Sequence, residues 1–271
     1  MSKIRTSLHG RQIGLNHNSE LQVANGGIVV GNEGNQVRLP SSKAISVFDD
    51  FVNSVLITDW TFLEGTDAAT SAAALLAGGI GGVLRLTTGD AGTGLAADAE
   101  QVVHTLQWKA ENGGLAFQTR VKMSAITTCW AFIGFTDVVT LEGAIISAAN
   151  ADTITTNATD AVGFMFDTRM ATDNWWLVGV ANDVDATAQN SGFAPVADDY
   201  ETLRIEVNAS GVATFFRNGI QVGTTMAGAV TPTVALTPTI GVSKTSVAAS
   251  MTMDVDYIHV TMDRAADGGA V

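Results

Sequence analysis

The sequence predicts an all-β chain: a two-sheet antiparallel sandwich preceded by a β-hairpin arm. Three observations carry this expectation. About eleven segments of strand length recur between residues 82 and 263, separated by Gly, Asn, Asp and Ser turn signals. Several alternate strictly between apolar and polar residues, and no stretch sustains a helical period. The chain holds 28 glycines and only 4 prolines, which suits many tight turns without Pro-rich linkers. At 271 residues, 46% hydrophobic and 15% charged, it is long and apolar enough to bury a sizeable core.

Residues 1–44 read as the arm. "RQIGL" and "ELQVA" flank "NHNS", and "GIVV" and "QVRL" flank "GNEGN", so each set predicts a hairpin around an Asn/Gly turn. Hairpins of this size bury too little to be stable alone. They are expected to pack on the body or on another subunit. Residues 45–271 read as the sandwich. "ISVFDDFVNSVLITDWTFLEG" opens it, with Phe48, Phe51, Trp60 and Phe62 as anchors. The Ala/Gly run from Ala68 to Gly82 is expected to be a surface loop with at most one helical turn.

The strands then follow in order: 82–88, 101–109, 115–123, 129–137, 161–168, 175–182, 202–208, 212–218, 220–226, 236–244 and 251–263. In "LRIEV", Leu203, Ile205 and Val207 face one side and Arg204 and Glu206 the other. "CWAFIGF" is continuously apolar, which predicts a strand covered on both faces, with Cys129 as a buried thiol. "NASG" and "RNG" turn the chain between residues 203 and 224.

Charge divides the chain. Residues 1–43 hold five cations and two carboxylates, net +3, and the remainder holds nine and 25, net −16. An acidic body repels phosphate backbones, so nucleic-acid binding is not expected. A basic arm on it favours docking to an acidic neighbour. One cysteine excludes an intrachain disulfide framework. The N-terminal "MSKIRTSLHGRQIG" lacks the apolar stretch of a secretory signal, and the Ala/Gly run is too short to span a bilayer, so synthesis in a cytoplasm and no membrane partner are expected.

Three elements together resemble the concanavalin A-like jelly roll of lectins and glucanases: the "FDDF...DWTFLEG" start with "GGVLRLTTG" after it, the meander "LRIEVNASGVATFFRNGIQVGT", and the closing "MDVDYIHVTM". The resemblance spans residues 45–264. A narrower one, in "AVGFMFDTRMATDNWWLVGVAND" and in "GRQIGLNHNSELQVANGG" before "SVFDDF", is to structural proteins of tailed bacteriophages. It implies a virion location. It leaves head surface and tail both open; the favoured role is a head-decoration, capsid-stabilising protein docked through the arm on the major capsid protein or another virion protein. The expected assembly is a homo-oligomer, with a trimer favoured. The arm contacts expected are Arg5, Arg11, Ile13, Leu15, Leu21, Val23, Val29, Val30 and Arg38.

The chemistry of the glucanases does not transfer with their frame. They carry carboxylates at alternate positions of one strand, in an E-x-D-x-E or E-x-D-x-x-E pattern, and this chain has none. Asp254 and Asp256 share a face without a glutamate to complete the set, and Glu206 stands alone. No enzymatic activity and no cofactor are expected, and glycoside hydrolysis is the weaker alternative. Calcium needs six to eight oxygens, so Asp254 and Asp256 are a weak calcium pair and no metal is expected. "GDAGTGLAAD" contains Gly92, Gly94 and Ala97 in a variant of the dinucleotide-binding turn, which requires a strand before it and a helix after it. The stronger alternative is a carbohydrate-binding adhesin of a tail or head fibre, holding a glycan on Trp130, Trp175 or Trp176. Adjacent strand residues face opposite sides, so one of Trp175 and Trp176 is expected in the core.

Overall fold

A computed structural model describes residues 5–8, 11–15, 21–22, 28–30, 36–38, 44–52, 59–66, 72–76, 81–90, 95–140, 145–151, 153–246 and 249–265. The chain divides into two compact units, Met1–Ile45 and Ser46–Val271.

The first unit holds β1 (Arg5–Leu8), β2 (Arg11–Leu15), β3 (Leu21–Gln22), β4 (Ile28–Val30) and β5 (Gln36–Arg38). β2 pairs with β3, Leu15 opposite Leu21, and β4 with β5, Ile28 opposite Arg38, so both expected hairpins form. β1 adds a third strand that the sequence reading lacks, with Arg5 opposite Gly14.

The second unit is a two-sheet antiparallel sandwich. Its strands are β6 (Ala44–Asp49), β7 (Thr61–Glu64), β8 (Ala72–Leu75), β9 (Leu84–Thr87), β10 (Glu100–Val103), β11 (Leu115–Met123), β12 (Cys129–Thr136), β13 (Ile146–Asn150) and β14 (Thr153–Thr156). They continue with β15 (Ala161–Asp167), β16 (Trp176–Ala181), β17 (Val184–Asp185), β18 (Gln189–Asn190), β19 (Glu201–Val207), β20 (Ala213–Arg217), β21 (Ile220–Met226), β22 (Thr237–Lys244) and β23 (Thr252–Asp263). Sheet I runs β17-β16-β15-β12-β22-β10-β7, with β18 also on β16, and sheet II runs β21-β20-β19-β11-β23-β9-β8, with β6 also on β23.

Alternation places the core. Leu115, Phe117, Thr119, Val121 and Met123 of β11 are buried and the residues between them half-buried; β19 repeats the pattern through Leu203, Ile205 and Val207. Phe164 of sheet I meets Phe215 of sheet II at 5.4 Å and Trp175 at 6.1 Å, both edge to face, and Phe117 meets Phe135 at 5.8 Å. These rings close the space between the sheets. β12 and β15 are buried at every position, as continuous apolar runs predict, and β22 is buried throughout although it carries Thr237, Thr239, Ser243 and Lys244. Cys129 lies there fully buried, and burial pushes its thiol up to about 12, so it stays neutral and unreactive.

The turns form as their residues dictate. Asn218 (φ 50°) and Gly219 (φ 79°) both adopt the left-handed conformation that a two-residue hairpin loop requires. Asn208 Oδ1 accepts from the Ser210 and Val212 amides at 2.9 and 3.1 Å, closing the "NASG" turn.

Three expectations need correction. Within the Ala/Gly run, residues 72–75 form edge strand β8 against β9, Ala72 opposite Thr87, because small side chains lie flat on an edge. The 101–109 strand stops at Val103, and Trp108 makes an isolated bridge to Leu236. Phe51 and Trp60 are buried, with Asp49 accepting from the Phe51 amide at 2.9 Å and from Trp60 Nε1 at 3.0 Å, but Phe48 points outward and is 59% exposed.

Candidate functional site

The two sheets differ in what lies on their outer faces. Directly paired residues share a face, so Trp130 and Phe132 of β12 lie with Ala161, Met165 and Asp167 of β15 and Trp176, Val178 and Val180 of β16, on the side away from sheet II. That side is covered. Ile145, Ile146, Ala148 and Ala158, from the β13–β14 hairpin and its flanks, pack on it with Met170 to make a second apolar core. Gly163 makes room for the cover: a Cβ there would sit 2.6 Å from the tip of the Phe132 ring.

Two polar groups clasp the hairpin. Trp130 Nε1 donates to the Ile146 carbonyl at 2.7 Å, and the Ala148 amide donates to Asp167 Oδ2 at 2.8 Å. Asp167 is itself fully buried and held by Arg169, whose Nε and Nη2 donate at 3.0 and 2.6 Å. Replacing Asp167 by alanine leaves the buried Ala148 amide without its acceptor and frees the hairpin, while Arg169, 36% exposed, turns to water. We expect a loss of ~2 kcal/mol, read by urea denaturation, with faster hydrogen exchange at residues 145–156; unchanged exchange there rules out the clasp.

The aromatic residues offered as ligand platforms are placed accordingly. Trp130 is 1% and Trp175 0% exposed, the latter with Nε1 donating to Glu201 Oε1 at 2.8 Å, so neither presents a ring to a ligand. Both close core contacts instead, which corrects the expectation for Trp130. Trp176 is half-buried against the second core, and its Nε1 donates to the Thr172 carbonyl at 3.3 Å.

Sheet II has a polar and aromatic outer face. Across it, Arg204, Gln118 and His259 stand in one row, and Ser46 Oγ lies 3.1 Å from His259 Nε2. In the next row, Tyr257 accepts on its hydroxyl from Gln118 Nε2 at 2.6 Å, with Phe48 5.9 Å from its ring and 5.8 Å from that of His259. The Tyr200 ring lies 4.3 Å from the Arg120 guanidinium and 5.1 Å from Lys122 Nζ. Arg204 lies over Phe216 at 5.0 Å and pairs with Glu206.

Asp254 and Asp256 lie in this face but do not form a metal site. Arg85 donates twice to Asp254, at 2.6 and 2.9 Å, and Lys122 Nζ lies 3.0 Å away. Burial pushes the Asp254 carboxyl up, and these two partners more than offset it, so it stays below its ordinary range. Asp256 is taken by Arg120 at 2.8 Å, beside a register shift between Arg120 and Val121. Cations therefore occupy the oxygens a calcium ion would need. Among the described residues no three His, Cys, Asp or Glu side chains gather to hold a metal.

Other expected sites fall as follows. Leu95–Asp98 is a single helical turn, too short for a dinucleotide site, and Gly92 and Gly94 lie outside the described residues. Arg5, Arg11, Ile13, Leu15, Leu21, Val29, Val30 and Arg38 lie on the arm strands, and Val23 lies outside the described residues.

No family model matches the chain, and no curated protein matches it. Its fold is shared with solved structures. The Bacillus licheniformis β-glucanase is 13% identical, with a TM-score of 0.54 over 79% of this chain and 97% of that one. The carbohydrate recognition domain of Emp47p is 10% identical, with a TM-score of 0.54 over 83% and 99%. A protein of unknown function from Shewanella oneidensis MR-1 is 13% identical, with a TM-score of 0.53 over 86% and 93%. The body has the concanavalin A-like jelly-roll fold of glucanases and lectins.

Proposed function

We propose that the chain is a non-catalytic virion protein of a tailed bacteriophage, a head-decoration protein that fixes its jelly-roll body to the capsid through the N-terminal arm. The observation that carries this reading is the arm. Residues 1–45 form a unit of their own, made of short strands in a three-stranded and a two-stranded sheet. Sheets so small need a partner surface. The arm's net charge of +3, against −16 for the rest, favours an acidic partner such as a capsid lattice. An arm burying ~1,000 Å² reaches the size of a specific interface, and a trimer would add avidity.

The non-catalytic part rests on the carboxylates. Several structures that share the fold are glucanases, so the frame itself is compatible with hydrolysis. A glycosidase needs one carboxylic acid held neutral beside a second carboxylate, both within reach of the sugar. Glu100 is held neutral opposite Glu64, but it is fully buried and meets no substrate. On the outer face of sheet II, Asp254 is held ionised by Arg85 and Lys122, Asp256 pairs with Arg120, and Glu206 pairs with Arg204. On the outer face of β15, Asp167 is fully buried under the hairpin.

The test compares the full chain with a variant lacking residues 1–43, which keeps β6. Cosedimentation with capsids stripped of the protein is expected to fall at least tenfold for the variant. Undiminished binding overturns the arm model. A second reading, a carbohydrate-binding adhesin of a tail or head fibre, is favoured by the aromatic and polar outer face of sheet II.

A further inference from the structure

We propose that the outer face of sheet II binds an oligosaccharide laid across its strands, from Phe216 over Arg204, Gln118 and His259 to Ser46 and Phe48. This deepens the carbohydrate reading by naming its site, and it is independent of the arm.

The face has the chemistry a sugar chain requires. A pyranose ring has apolar C–H faces and a polar hydroxyl rim, so it fits a surface that alternates ring planes with planar hydrogen-bonding groups. Phe48, 59% exposed, stands beside Tyr257 and His259; Phe216 stands at the other end beneath Arg204. Between them lie the Gln118 amide, the Tyr257 hydroxyl and the Arg120 guanidinium. Neighbours fix each of these: Gln118 on Tyr257, Arg120 on Asp256 and over Tyr200. Groups held in place before a ligand arrives lose little freedom on binding it.

The row from β20 through β19, β11 and β23 to β6 crosses four inter-strand gaps, roughly 19 Å at the usual strand spacing. That length suits a short oligosaccharide rather than a single sugar.

Other occupants fit less well. The core of a protein interface is depleted in charge, whereas this face holds Arg85, Arg120, Lys122, Arg204, Asp254, Asp256 and Glu206. A nucleic acid would meet three carboxylates here on a body of net charge −16. On sheet I, the outer face of β12, β15 and β16 is covered by the second core.

The experiment screens the full chain on a glycan array of neutral and uronic-acid oligosaccharides, then titrates the strongest hit by calorimetry. A hit with sub-millimolar Kd is expected. Phe48→Ala and Gln118→Ala are each expected to weaken it by about tenfold, while Trp176→Ala leaves it unchanged. Phe48 is exposed, so its loss spares the fold, and thermal melting confirms this for each variant. No binding to any oligosaccharide at millimolar concentration overturns the proposal. So does a hit that ignores Phe48→Ala and Gln118→Ala, or one lost only in Trp176→Ala, which moves the site to the sheet I rim. Capsid association of the same variants is expected to stay intact, which separates failure of this face from failure of the arm.

Discussion

Replacing Phe164 by alanine is expected to destabilise the body by ~3–5 kcal/mol. Phe164 is fully buried at the middle of sheet I, and its ring touches the edge or face of both Trp175 and Phe215. Phe166 also meets Trp175, at 5.8 Å, so the cavity is bounded by rings that are already locked against one another. Such walls cannot collapse inward to fill the gap. The measurement is urea or thermal unfolding, with Tm expected to fall by about 10 °C. A fall of only a degree or two would mean that the two sheets are not held by this cluster.

The second large effect is a pH dependence with an uncommon sign. Glu100 of β10 is fully buried beside Val242 and opposite Glu64, and neither of its oxygens has a hydrogen-bond partner among the described residues. Burial, with a smaller contribution from Glu64, pushes its carboxyl from 4.5 up to about 8. In the folded state it holds a proton that the unfolded chain releases near 4.5. Its contribution to stability is therefore complete below about pH 4.5 and is lost as pH rises to about 8. The expected slope through that window is about −1.4 kcal/mol per pH unit. Glu100→Gln removes the titration, so the variant is expected to match the parent near pH 5 and exceed it in Tm at pH 8. An identical slope in both proteins would assign the effect elsewhere.

Much of the sandwich is legible in the sequence because one physical rule sets it. The alternation in "LAFQTRVKM" and "LRIEV" fixes which side of β11 and β19 faces inward, and "RNG" fixes the turn into β21. The rule fails where side chains carry no signal. Ala72–Leu75 has no contrast between its faces, and its strand exists only because β9 offers an edge. "ISAANADTITT" is not among the expected strands, yet it becomes the β13–β14 hairpin because Trp130 and Asp167 hold it over an apolar face.

The candidate face is legible in no segment. Gln118 and Tyr257 lie 139 residues apart, and Arg85 and Asp254 lie 169 apart, so only strand register brings them together. Asp254 and Asp256 illustrate the difference. In sequence they are two acids on one strand. In the fold each is answered by a cation from β9 or β11.

The place of β23 has a consequence for how a copy is made. It follows every other strand in the chain, yet it lies inside sheet II, between β11 and β9. A nascent chain emerging from the ribosome therefore presents β11 and β9 long before the strand that joins them exists. Until residue 263 is free, both carry raw edges able to pair with a neighbouring chain on the same message. Long-range pairings of this kind form slowly. Translation rate and the crowding of polysomes are therefore expected to bear on the native yield alongside final stability.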